Sequence, residues 1–285
     1  MKPKRLDRSL LDDHPLPHVV DDDKESKGRI LVIAGSRDVP GAALLCATAA
    51  MRAGAGKLRI ATIGSIAAQI GVAVPEAMVI GVPEDGSGGF ATSGVGHLAE
   101  HAADVDAVVA GPGVRRNDAC PPLARALVEG DSAIALDVAL LKALAPPGHE
   151  RKVTPILLPD ADELAALLDC DEKLVERDPV GCGARAAELY RSIVLVKGPT
   201  SHVVHRGGET WAYDGGAPGL GVSGSGDVLA GIVGGLLARG AEPLSALLWA
   251  VWLHGEAGAA LARKLGPIGF LAREISREVP GLLPR

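Results

Sequence analysis

Aromatic residues are scarce in this chain of 285 residues, where three Trp, two Tyr and two Phe make up 2% of the total. Hydrophobic residues nevertheless account for 47%. The core must therefore be built from Ala, Val, Leu, Ile and Gly, whose small side chains suit close packing of helices against a sheet. The 37 glycines follow no strict period, which excludes a collagen-like structure.

The chain also lacks an excess of positive charge, a C-x-x-C pair and a long apolar run. Its net charge of −6 argues against a broad nucleic-acid-binding surface, because such a surface needs a basic stripe. The cysteines, without such a pair, predict ordinary thiols in a reducing compartment. No apolar run approaches the length of a membrane span, and the charged N-terminus lacks the apolar stretch of a signal peptide. We therefore expect a cytoplasmic protein that binds neither nucleic acid nor membrane.

The first 27 residues are polar, with consecutive aspartates at 21–23, and predict an N-terminal arm with one short helix around Leu6 to Leu11. After this arm, short apolar runs alternate with helical stretches. This alternation predicts a mainly parallel sheet covered by helices on both faces. Two runs that flank Gly207-Gly208 predict a β-hairpin at the sheet edge. No linker is visible after the arm, so we expect residues 28–285 to form one domain.

The elements themselves follow from apolar runs and from Pro and Gly at their ends. The predicted strands are Ile30 to Ile33, Leu58 to Thr62, Ala77 to Ile80, Ala107 to Ala110, Ala133 to Leu136, Thr154 to Leu157, Ile193 to Val196, Ser201 to His205 and Thr210 to Tyr213. The predicted helices are Pro40 to Ala53, Pro121 to Val128, Ala161 to Leu168, Ala184 to Tyr190, Gly226 to Ala238 and Pro243 to Leu265.

A glycine-rich segment, Gly219 to Gly231 (GLGVSGSGDVLAG), runs directly into a predicted helix. Such a turn presents free N–H groups at the positive end of the helix dipole, which is a site for anions. In one interpretation, Asp227 only caps the helix and the glycines only turn the chain. In the other, the amides of Gly224 to Gly226 hold a terminal phosphate while Asp227 takes a proton from a substrate hydroxyl.

Gly-Ser-Gly-Asp followed by an aliphatic helix resembles the anion-hole and catalytic-base signature of the ribokinase-like superfamily. Further motifs resemble one branch of it, the ADP/ATP-dependent NAD(P)H-hydrate dehydratases. In family order they are residues 27–62, Pro75-Glu76-Ala77-Met78, Ala110-Gly111-Pro112-Gly113, Leu136 to Leu140 (LDVAL), Val196-Lys197-Gly198 and Ala250 to Gly258 (AVWLHGEAG). The resemblance implies a ribokinase-like three-layer α/β/α fold with a mainly parallel central sheet and an edge β-hairpin.

The resemblance also implies a reaction and its residues. The chain is expected to use ADP or ATP, with Mg²⁺, to dehydrate the S form of hydrated NADH or NADPH (NADHX or NADPHX). Asp227 is the implied catalytic base on the 6-hydroxyl, which is phosphorylated and then expelled as phosphate. The implied substrate contacts are Ala43, Gly113, Asp160 and Asp227. The implied nucleotide contacts are Lys197, Gly198, Pro199, Thr200, Ser201, Gly224, Ser225 and Gly226.

Two segments depart from the family pattern. Leu158 to Glu163 (LPDADE) replaces "TPHPGE", which puts Asp160 where the family has a histidine that meets the substrate. Gly216 to Asp227 lacks the family's Asn and one Thr-Gly step but keeps the final Gly-Ser-Gly-Asp. The kept residues predict nucleotide binding. No metal-ligand motif is visible, so Mg²⁺ is expected on the nucleotide phosphates.

Three polar residues near these motifs have two interpretations each. Asp137 follows a strand and either caps a helix or lines the cleft. Lys197 is either a solvated lysine at a strand end or a phosphate-facing cation. His254 is expected to pack or cap rather than to act in catalysis.

Charged and histidine pairs outside these motifs have simpler explanations. His97 and His101 have i,i+4 spacing on a helix, but no third ligand accompanies them, so a surface pair is expected rather than a metal site. Arg115 and Arg116 either contact phosphate or are solvated charges.

Two other functions fit the same residues. A ribokinase-like kinase would phosphorylate a vitamin or sugar hydroxyl with the same base and anion site. A non-catalytic nucleotide-binding paralogue would keep only the binding. As partners we expect the small-molecule substrate, further copies of the chain in a homo-oligomer, and a separate NAD(P)HX epimerase that acts in the same repair.

Overall fold

Ten strands form one sheet in the computed structural model of the protein, which describes residues 2–18 and 27–284. The strands are β1 (Lys4–Arg5), β2 (Arg29–Ile33), β3 (Lys57–Ile63), β4 (Ala77–Val82), β5 (Ala107–Ala110), β6 (Ala133–Leu136), β7 (Ile156–Leu157), β8 (Ile193–Val196), β9 (Ser201–Val204) and β10 (Thr210–Tyr213). Their order is β1-β10-β9-β8-β7-β6-β5-β2-β3-β4. Neighbours from β8 to β4 pair in parallel, which confirms the predicted mainly parallel sheet.

The helices lie mostly between successive strands of this sheet. They are α1 (Gly41–Arg52), α2 (Gly64–Ala73), α3 (Val95–Ala103), α4 (Cys120–Glu129), α5 (Ala161–Leu168), α6 (Glu172–Arg177), α7 (Pro179–Leu189), α8 (Ser225–Ala238), α9 (Pro243–Leu265) and α10 (Ala272–Leu282). Short 3-10 helices lie at Leu10–Asp13, Thr92–Gly94, Val138–Leu140 and Pro218–Leu220. The sequence had not predicted α2, α6 and α10.

The alternation of side chains along β2 shows how the sheet separates two hydrophobic cores. Ile30 and Val32 point into a core shared with α1, α8 and α9, whereas Leu31 and Ile33 point into a core shared with α3, α4 and α7. Successive strand residues face opposite sides of a sheet, so a fully apolar strand needs helices on both faces. The result is the three-layer arrangement that the sequence predicts.

Helices α1 and α8 approach each other so closely that only glycine fits at the contact. A Cβ atom at Gly231 would lie 2.2 Å from the carbonyl oxygen of Cys46, and one at Gly235 would lie 2.3 Å from that of Ala50. Because α1 follows β2 directly, it begins at the carboxyl edge of the sheet. The close contact therefore fixes α8 relative to a helix that starts at the edge where ligands bind in such folds.

The segment predicted as a polar arm packs onto this fold in its described part. Strand β1 pairs in parallel with β10, so the β9–β10 hairpin lies beside the sheet edge, and β1 forms the edge itself. Instead of a helix around Leu6, the segment forms a 3-10 helix over Leu10–Asp13. Its buried leucines are Leu6, Leu11 and Leu16. The aspartates at 21–23 lie outside the described residues.

Helix α9 is long and apolar enough, by length and composition alone, to cross a membrane. However, 67% of its most apolar window is buried within the protein. Its Trp249 donates a hydrogen bond of 2.7 Å from Nε1 to the carbonyl oxygen of His14 in the N-terminal segment. The helix is therefore part of the core, although the sequence had led us to expect no run of this length.

Candidate active site

The glycine-rich segment ends where α8 begins, and Gly224 makes the turn possible. Its φ of 89° lies in the left-handed region, and a Cβ atom there would lie 2.5 Å from Cδ1 of Leu45. Helix α8 then begins with Ser225 and Gly226, and no side chain caps its start. Uncapped N–H groups at the positive end of a helix dipole have the geometry that an anionic phosphate requires.

Asp227, in the first turn of α8, is a half-buried carboxylate without a hydrogen-bond partner in the described part of the chain. Burial and the nearby Asp137 raise its pKa from 3.8 to about 6, and Lys197 acts in the opposite direction. The interpretation of Asp227 as a mere helix cap is therefore not supported. A carboxylate whose pKa lies near neutrality can accept a proton and release it at working pH.

Lys197, which follows β8, contacts side chains from the end of β6 and the start of α5 at the carboxyl edge. Its Nζ lies 2.8 Å from Oδ1 of Asp137, which follows β6, and 3.4 Å from Oε2 of Glu163 in α5. Burial lowers the pKa of Lys197, but the two carboxylates outweigh that effect and raise it overall. Only 20% of the Lys197 side chain is exposed. It is therefore not a solvated lysine at a strand end.

Asp137 makes no helix-capping hydrogen bond, and its carboxylate is buried against Lys197. It precedes the 3-10 helix Val138–Leu140 without a side-chain capping hydrogen bond, and its side chain is 2% exposed. The Gly111-Pro112-Gly113 turn packs against its backbone, since a Cβ atom at Gly111 would lie 1.9 Å from the Asp137 carbonyl oxygen. The motif at the end of β5 and the carboxylate at the end of β6 thus form one wall.

Asp160, which replaces the family histidine, has a structural task at the start of α5. Its carboxylate accepts the backbone N–H of Glu163 at 2.9 Å, and the Glu163 carboxylate accepts the backbone N–H of Asp160 at 2.9 Å. This reciprocal capping box stabilises the helix start. It also orients Glu163 toward Lys197. The change from His to Asp therefore places one more carboxylate, which is exposed, beside Lys197 and its partners Asp137 and Glu163.

Ala43 and Gly113, two of the implied substrate contacts, lie together around Gly35 at the ends of β2 and β5. A Cβ atom at Gly35 would lie 3.5 Å from Cβ of Ala43, and one at Gly113 would lie 2.5 Å from Cβ of Ala42. Gly35 has a φ of 84° and donates its N–H to the carbonyl oxygen of Pro112 at 2.8 Å. Ala43 and Gly35 are buried, so of the two implied substrate contacts Gly113 is the one that is partly exposed.

The remaining implied nucleotide contacts form the turn between β8 and β9. Gly198 and Pro199 are exposed, and Thr200 and Ser201 are partly buried. The turn lies next to the start of α8, because a Cβ atom at Gly226 would lie 3.9 Å from Nζ of Lys197. The structure therefore brings together the two nucleotide segments that lie far apart in sequence.

His254 contacts Ser225, the first residue of α8. Its Nε2 lies 3.0 Å from the hydroxyl and 3.1 Å from the carbonyl oxygen of Ser225. Burial lowers the pKa of His254 to about 4, so the ring is neutral at pH 7. A packed histidine is one of the two roles, packing or capping, that the sequence predicts for His254.

Glu163 was not predicted as a member of the site. The sequence does carry a signal for its position, because an Asp followed three residues later by Glu is a capping pattern. Its contact with Lys197 depends on the pairing of β7 with β8, which no local pattern reveals.

His97 and His101 form an exposed pair on α3, with their Nε2 atoms 3.3 Å apart. Among the residues that the structure describes, no group of three or more His, Cys, Asp or Glu side chains could hold a metal ion.

Comparison with known proteins identifies the family to which the chain is similar. The family model described as NAD(P)H-hydrate dehydratase matches residues 30–281. An ADP-dependent (S)-NAD(P)H-hydrate dehydratase of Xanthomonas campestris is 44% identical over 268 residues, which are 92% of this chain and 90% of the relative. The crystal structure of an ADP/ATP-dependent NAD(P)H-hydrate dehydratase from Bacillus subtilis, co-crystallised with ATP and Mg²⁺, is similar with a TM-score of 0.85, 25% identity, and coverage of 99% and 98%.

Two further similarities concern the fold and longer relatives. A ribokinase-like superfamily protein from Enterococcus faecalis has a TM-score of 0.82 at 22% identity, covering 98% of this chain and 94% of that one, which confirms the predicted ribokinase-like fold. A bifunctional NAD(P)H-hydrate repair enzyme of Moorella thermoacetica is 31% identical over 90% of this chain, which spans about half of that relative (49%). The match over most of the sequence and the match over most of the fold agree: the chain belongs to the NAD(P)H-hydrate dehydratase family.

Proposed function

We propose that this chain is an ADP- or ATP-dependent dehydratase, a lyase that converts the S form of NADHX and NADPHX back to NADH and NADPH. The observation that carries the proposal is Asp227, a half-buried carboxylate whose pKa is raised to about 6 at the uncapped start of α8. The relatives that bear the dehydratase name support the substrate class.

In this proposal Asp227 is the general base. At pH 7 its carboxylate is mostly ionised, because its pKa of about 6 lies below that pH. It takes the proton of the 6-hydroxyl while the nucleotide supplies the phosphoryl group that makes this oxygen a good leaving group. The lone pair of the ring nitrogen then expels the phosphate and leaves a cationic C6=N1 iminium. Loss of a proton from C5 to the released phosphate or to solvent forms the C5=C6 double bond and restores the dihydropyridine. The chain contributes positioning and electrostatic stabilisation rather than covalent chemistry.

The nucleotide is proposed to lie between the β8–β9 turn and α8. Lys197, Gly198, Pro199, Thr200 and Ser201 form one side, and Gly224, Ser225 and Gly226 form the other. Gly224 and Gly226 provide N–H groups for its phosphates, whereas the Ser225 N–H already donates to the carbonyl oxygen of Val222 at 3.1 Å. This placement is supported by the 3.9 Å separation of the Gly226 Cβ position from Lys197 Nζ. The phosphoryl group would then reach the substrate oxygen beside Asp227.

Mg²⁺ is proposed to be held mainly by the nucleotide phosphates. The carboxylates nearest to α8 are poor candidates for an all-protein site, since Asp137 and Glu163 are both paired with Lys197. The ion supplies positive charge that neutralises the phosphates during transfer.

The substrate is proposed to lie on the other side of Asp227, over Ala43 and Gly113, with Asp160 at its margin. The partial exposure of Gly113 supports this placement, and Ala43, which is buried, is proposed to shape the surface from within. Asp160 is already bound in its capping box, so its contribution to substrate binding is proposed to be smaller than that of a free side chain.

The test is Asp227→Asn, assayed by the near-ultraviolet absorbance of the restored dihydronicotinamide ring with Mg²⁺ and either nucleotide. We expect the rate to fall about a hundred- to ten-thousandfold, the usual contribution of a general base. Wild-type protein that consumes nucleotide without restoring absorbance would contradict the dehydratase proposal and indicate a kinase. Wild-type protein that binds nucleotide without consuming it would indicate a binding paralogue.

The stability of the same variant serves as its folding control. Because the folded pKa of Asp227 lies above 3.8, ionised Asp227 destabilises the fold, and its contribution to stability is lost as the pH rises from about 4 to about 6. Asn carries no charge, so at pH 7 we expect the free energy of unfolding to increase by roughly 1–3 kcal/mol. An inactive variant that is more stable than wild type cannot owe its inactivity to misfolding.

We further propose that the chain acts in the cytoplasm, as one domain over residues 28–285, and as a homo-oligomer beside a separate NAD(P)HX epimerase. Exposed apolar side chains on α2 and the edge strand β4 support self-association, notably Val72 (85% exposed) and Met78 (56%). Neither α2 nor β4 carries a charged residue. A neutral sheet edge of this kind is a ready surface for pairing between chains.

A further inference from the structure

A cavity of about 460 Å³ opens at the carboxyl edge of the sheet, beyond the Gly111-Pro112-Gly113 turn. Its walls are residues 85–92, which follow β4, and residues 115–119, which follow β5. The site described above uses the other side of this turn. The cavity therefore has no role in the proposed chemistry of Asp227.

The cavity is preformed, because its walls are tied together by hydrogen bonds. The Asp85 carboxylate accepts four of them, from the N–H and hydroxyl of Ser87, the N–H of Gly89 and Nδ2 of Asn117. Asn117 also donates to the carbonyl oxygen of Phe90 at 2.7 Å. These bonds hold the pKa of Asp85 well below its usual range. The hydrogen bonds of the Asp85 carboxylate are therefore all made to other residues of the cavity wall.

Two charged side chains of the cavity remain without a partner among the described residues. Arg115 is paired with Asp38, whereas Arg116 and Asp118 make no ion pair or side-chain hydrogen bond and are exposed. Helix α4 begins with Cys120-Pro121-Pro122, so two of the N–H groups with which a helix start binds anions are absent. An anion in this cavity must therefore be recognised by a side chain, and Arg116 is the unpaired cation.

The cavity lies next to the place proposed for the substrate. Gly113 precedes Arg115 by two residues, and the loop after β2 joins both walls, because Arg37 donates its N–H to the carbonyl oxygen of Gly88 at 3.0 Å and Asp38 binds Arg115. Four strand spacings separate β6, which carries Asp137, from β4. At about 4.8 Å each they span roughly 19 Å, which an extended dinucleotide can cover.

We propose that this cavity receives the adenosine end of the dinucleotide and that Arg116 is a specificity-determining residue that reads the ribose 2′-phosphate of NADPHX. A guanidinium binds phosphate through paired, charge-assisted hydrogen bonds, whereas a carboxylate accepts the free 2′-hydroxyl of NADHX. Asp118 is the carboxylate that accepts the 2′-hydroxyl of NADHX, and its negative charge repels the 2′-phosphate of NADPHX. The inference rests on the proposed function for the identity of the substrate.

The first test compares steady-state kinetics with NADPHX and NADHX for Arg116→Gln, Asp118→Asn and the control Arg125→Gln, whose side chain on α4 is 78% exposed. We expect Arg116→Gln to raise KM for NADPHX roughly ten- to hundredfold and to leave KM for NADHX within about twofold. Asp118→Asn should lower KM for NADPHX and raise it for NADHX. Equal changes for both substrates in Arg116→Gln would overturn the assignment.

The second test needs no turnover and separates the inference from the proposed function. With excess ADP and Mg²⁺ present to fill the nucleotide site, calorimetry measures binding of adenosine 2′,5′-bisphosphate and of 5′-AMP. We expect wild type to bind the bisphosphate at least about tenfold more tightly, and Arg116→Gln to lose this preference. Equal binding by wild type, or a preference kept in Arg116→Gln, would overturn the subsite. A preference without dehydratase activity would contradict the proposed function alone.

Discussion

At the scale of single residues, Lys197 is the cation that balances a group of carboxylates. Asp137 and Glu163 contact its Nζ directly, and its charge lowers the pKa of Asp227 against the effects of burial and of Asp137. Lys197 therefore tunes the proposed base through its charge. Its effect should appear in the pH profile as well as in stability.

We expect the wild-type kcat/KM to fall as the pH drops below about 6, because Asp227 is then protonated. In Lys197→Met this acidic limb should move to higher pH, since the cation that favours the ionised form is gone. The control is Lys142→Met, which removes the partner of Asp162, a largely exposed carboxylate outside the site. An acidic limb that stays in place in Lys197→Met would contradict the tuning role.

The same variant should also be less stable. Asp137, whose side chain is 2% exposed, would be left as a buried charge without its partner, which costs roughly 3–5 kcal/mol. Adding Asp137→Asn to Lys197→Met should restore part of the lost free energy of unfolding, because the unpaired charge is then removed. Chemical denaturation of the single and double variants measures both effects.

At the scale of elements, the contact of α1 with α8 sets the position of the proposed base. Gly231→Ala would bring a methyl group to 2.2 Å from the Cys46 carbonyl oxygen, a backbone atom that cannot rotate away. We expect a loss of about 1–3 kcal/mol in the free energy of unfolding, together with a lower kcat because α8 carries Asp227.

The matched control for this change is Gly96→Ala in α3. No atom lies within 4 Å of the Cβ position of Gly96. Alanine is the better helix former, so this variant should be as stable as wild type or more stable by up to about 1 kcal/mol. Thermal melting of both variants separates the steric effect from the propensity effect. Equal melting temperatures would contradict the close contact of α1 and α8.

Elements with strong local signals were predictable from the sequence. Strands β5, β6, β8 and β10 and helices α5 and α9 have the predicted ends, because apolar runs and Pro or Gly punctuation are local. Helix α10 was missed because Pro280 lies inside it, and α2 because it is apolar without a helical stripe. Strand β1 has two exposed residues, and only its pairing with β10 makes it a strand.

The candidate site was predictable to a similar extent. Asp227 and the glycine turn are local in sequence, so the motif located them. The partnership of Lys197 with Asp137 and Glu163 was not predictable, because it depends on the order of β6, β7 and β8 in the sheet. The capping box of Asp160 was likewise not predicted, because the family resemblance assigned this residue to the substrate, a contact that stays a prediction.

At the scale of the whole molecule, the N-terminal segment completes the core around α9. Leu11 is fully buried there, and His14 accepts the hydrogen bond of Trp249. We expect Leu11→Ala to lower the free energy of unfolding by about 2–5 kcal/mol, the usual cost of a large-to-small change in a core. Leu189→Ala, at a position that is 46% exposed, is the control and should change it by less than about 0.5 kcal/mol.

Urea denaturation followed by tryptophan fluorescence measures this effect, since Trp249 reports directly on the segment. If Leu11→Ala were as stable as the control, the segment would be an accessory arm rather than part of the cooperative unit.

The backbone contact between α1 and α8 also limits how this enzyme can change over generations. Most packed helices adjust their separation when a bulky side chain is exchanged for a smaller one, but Gly231 and Gly235 leave no side chain to exchange. New substrates must therefore be accommodated by the loops around the edge, where Asp160, Arg116 and Asp118 lie, while the distance between the two helix starts is inherited unchanged.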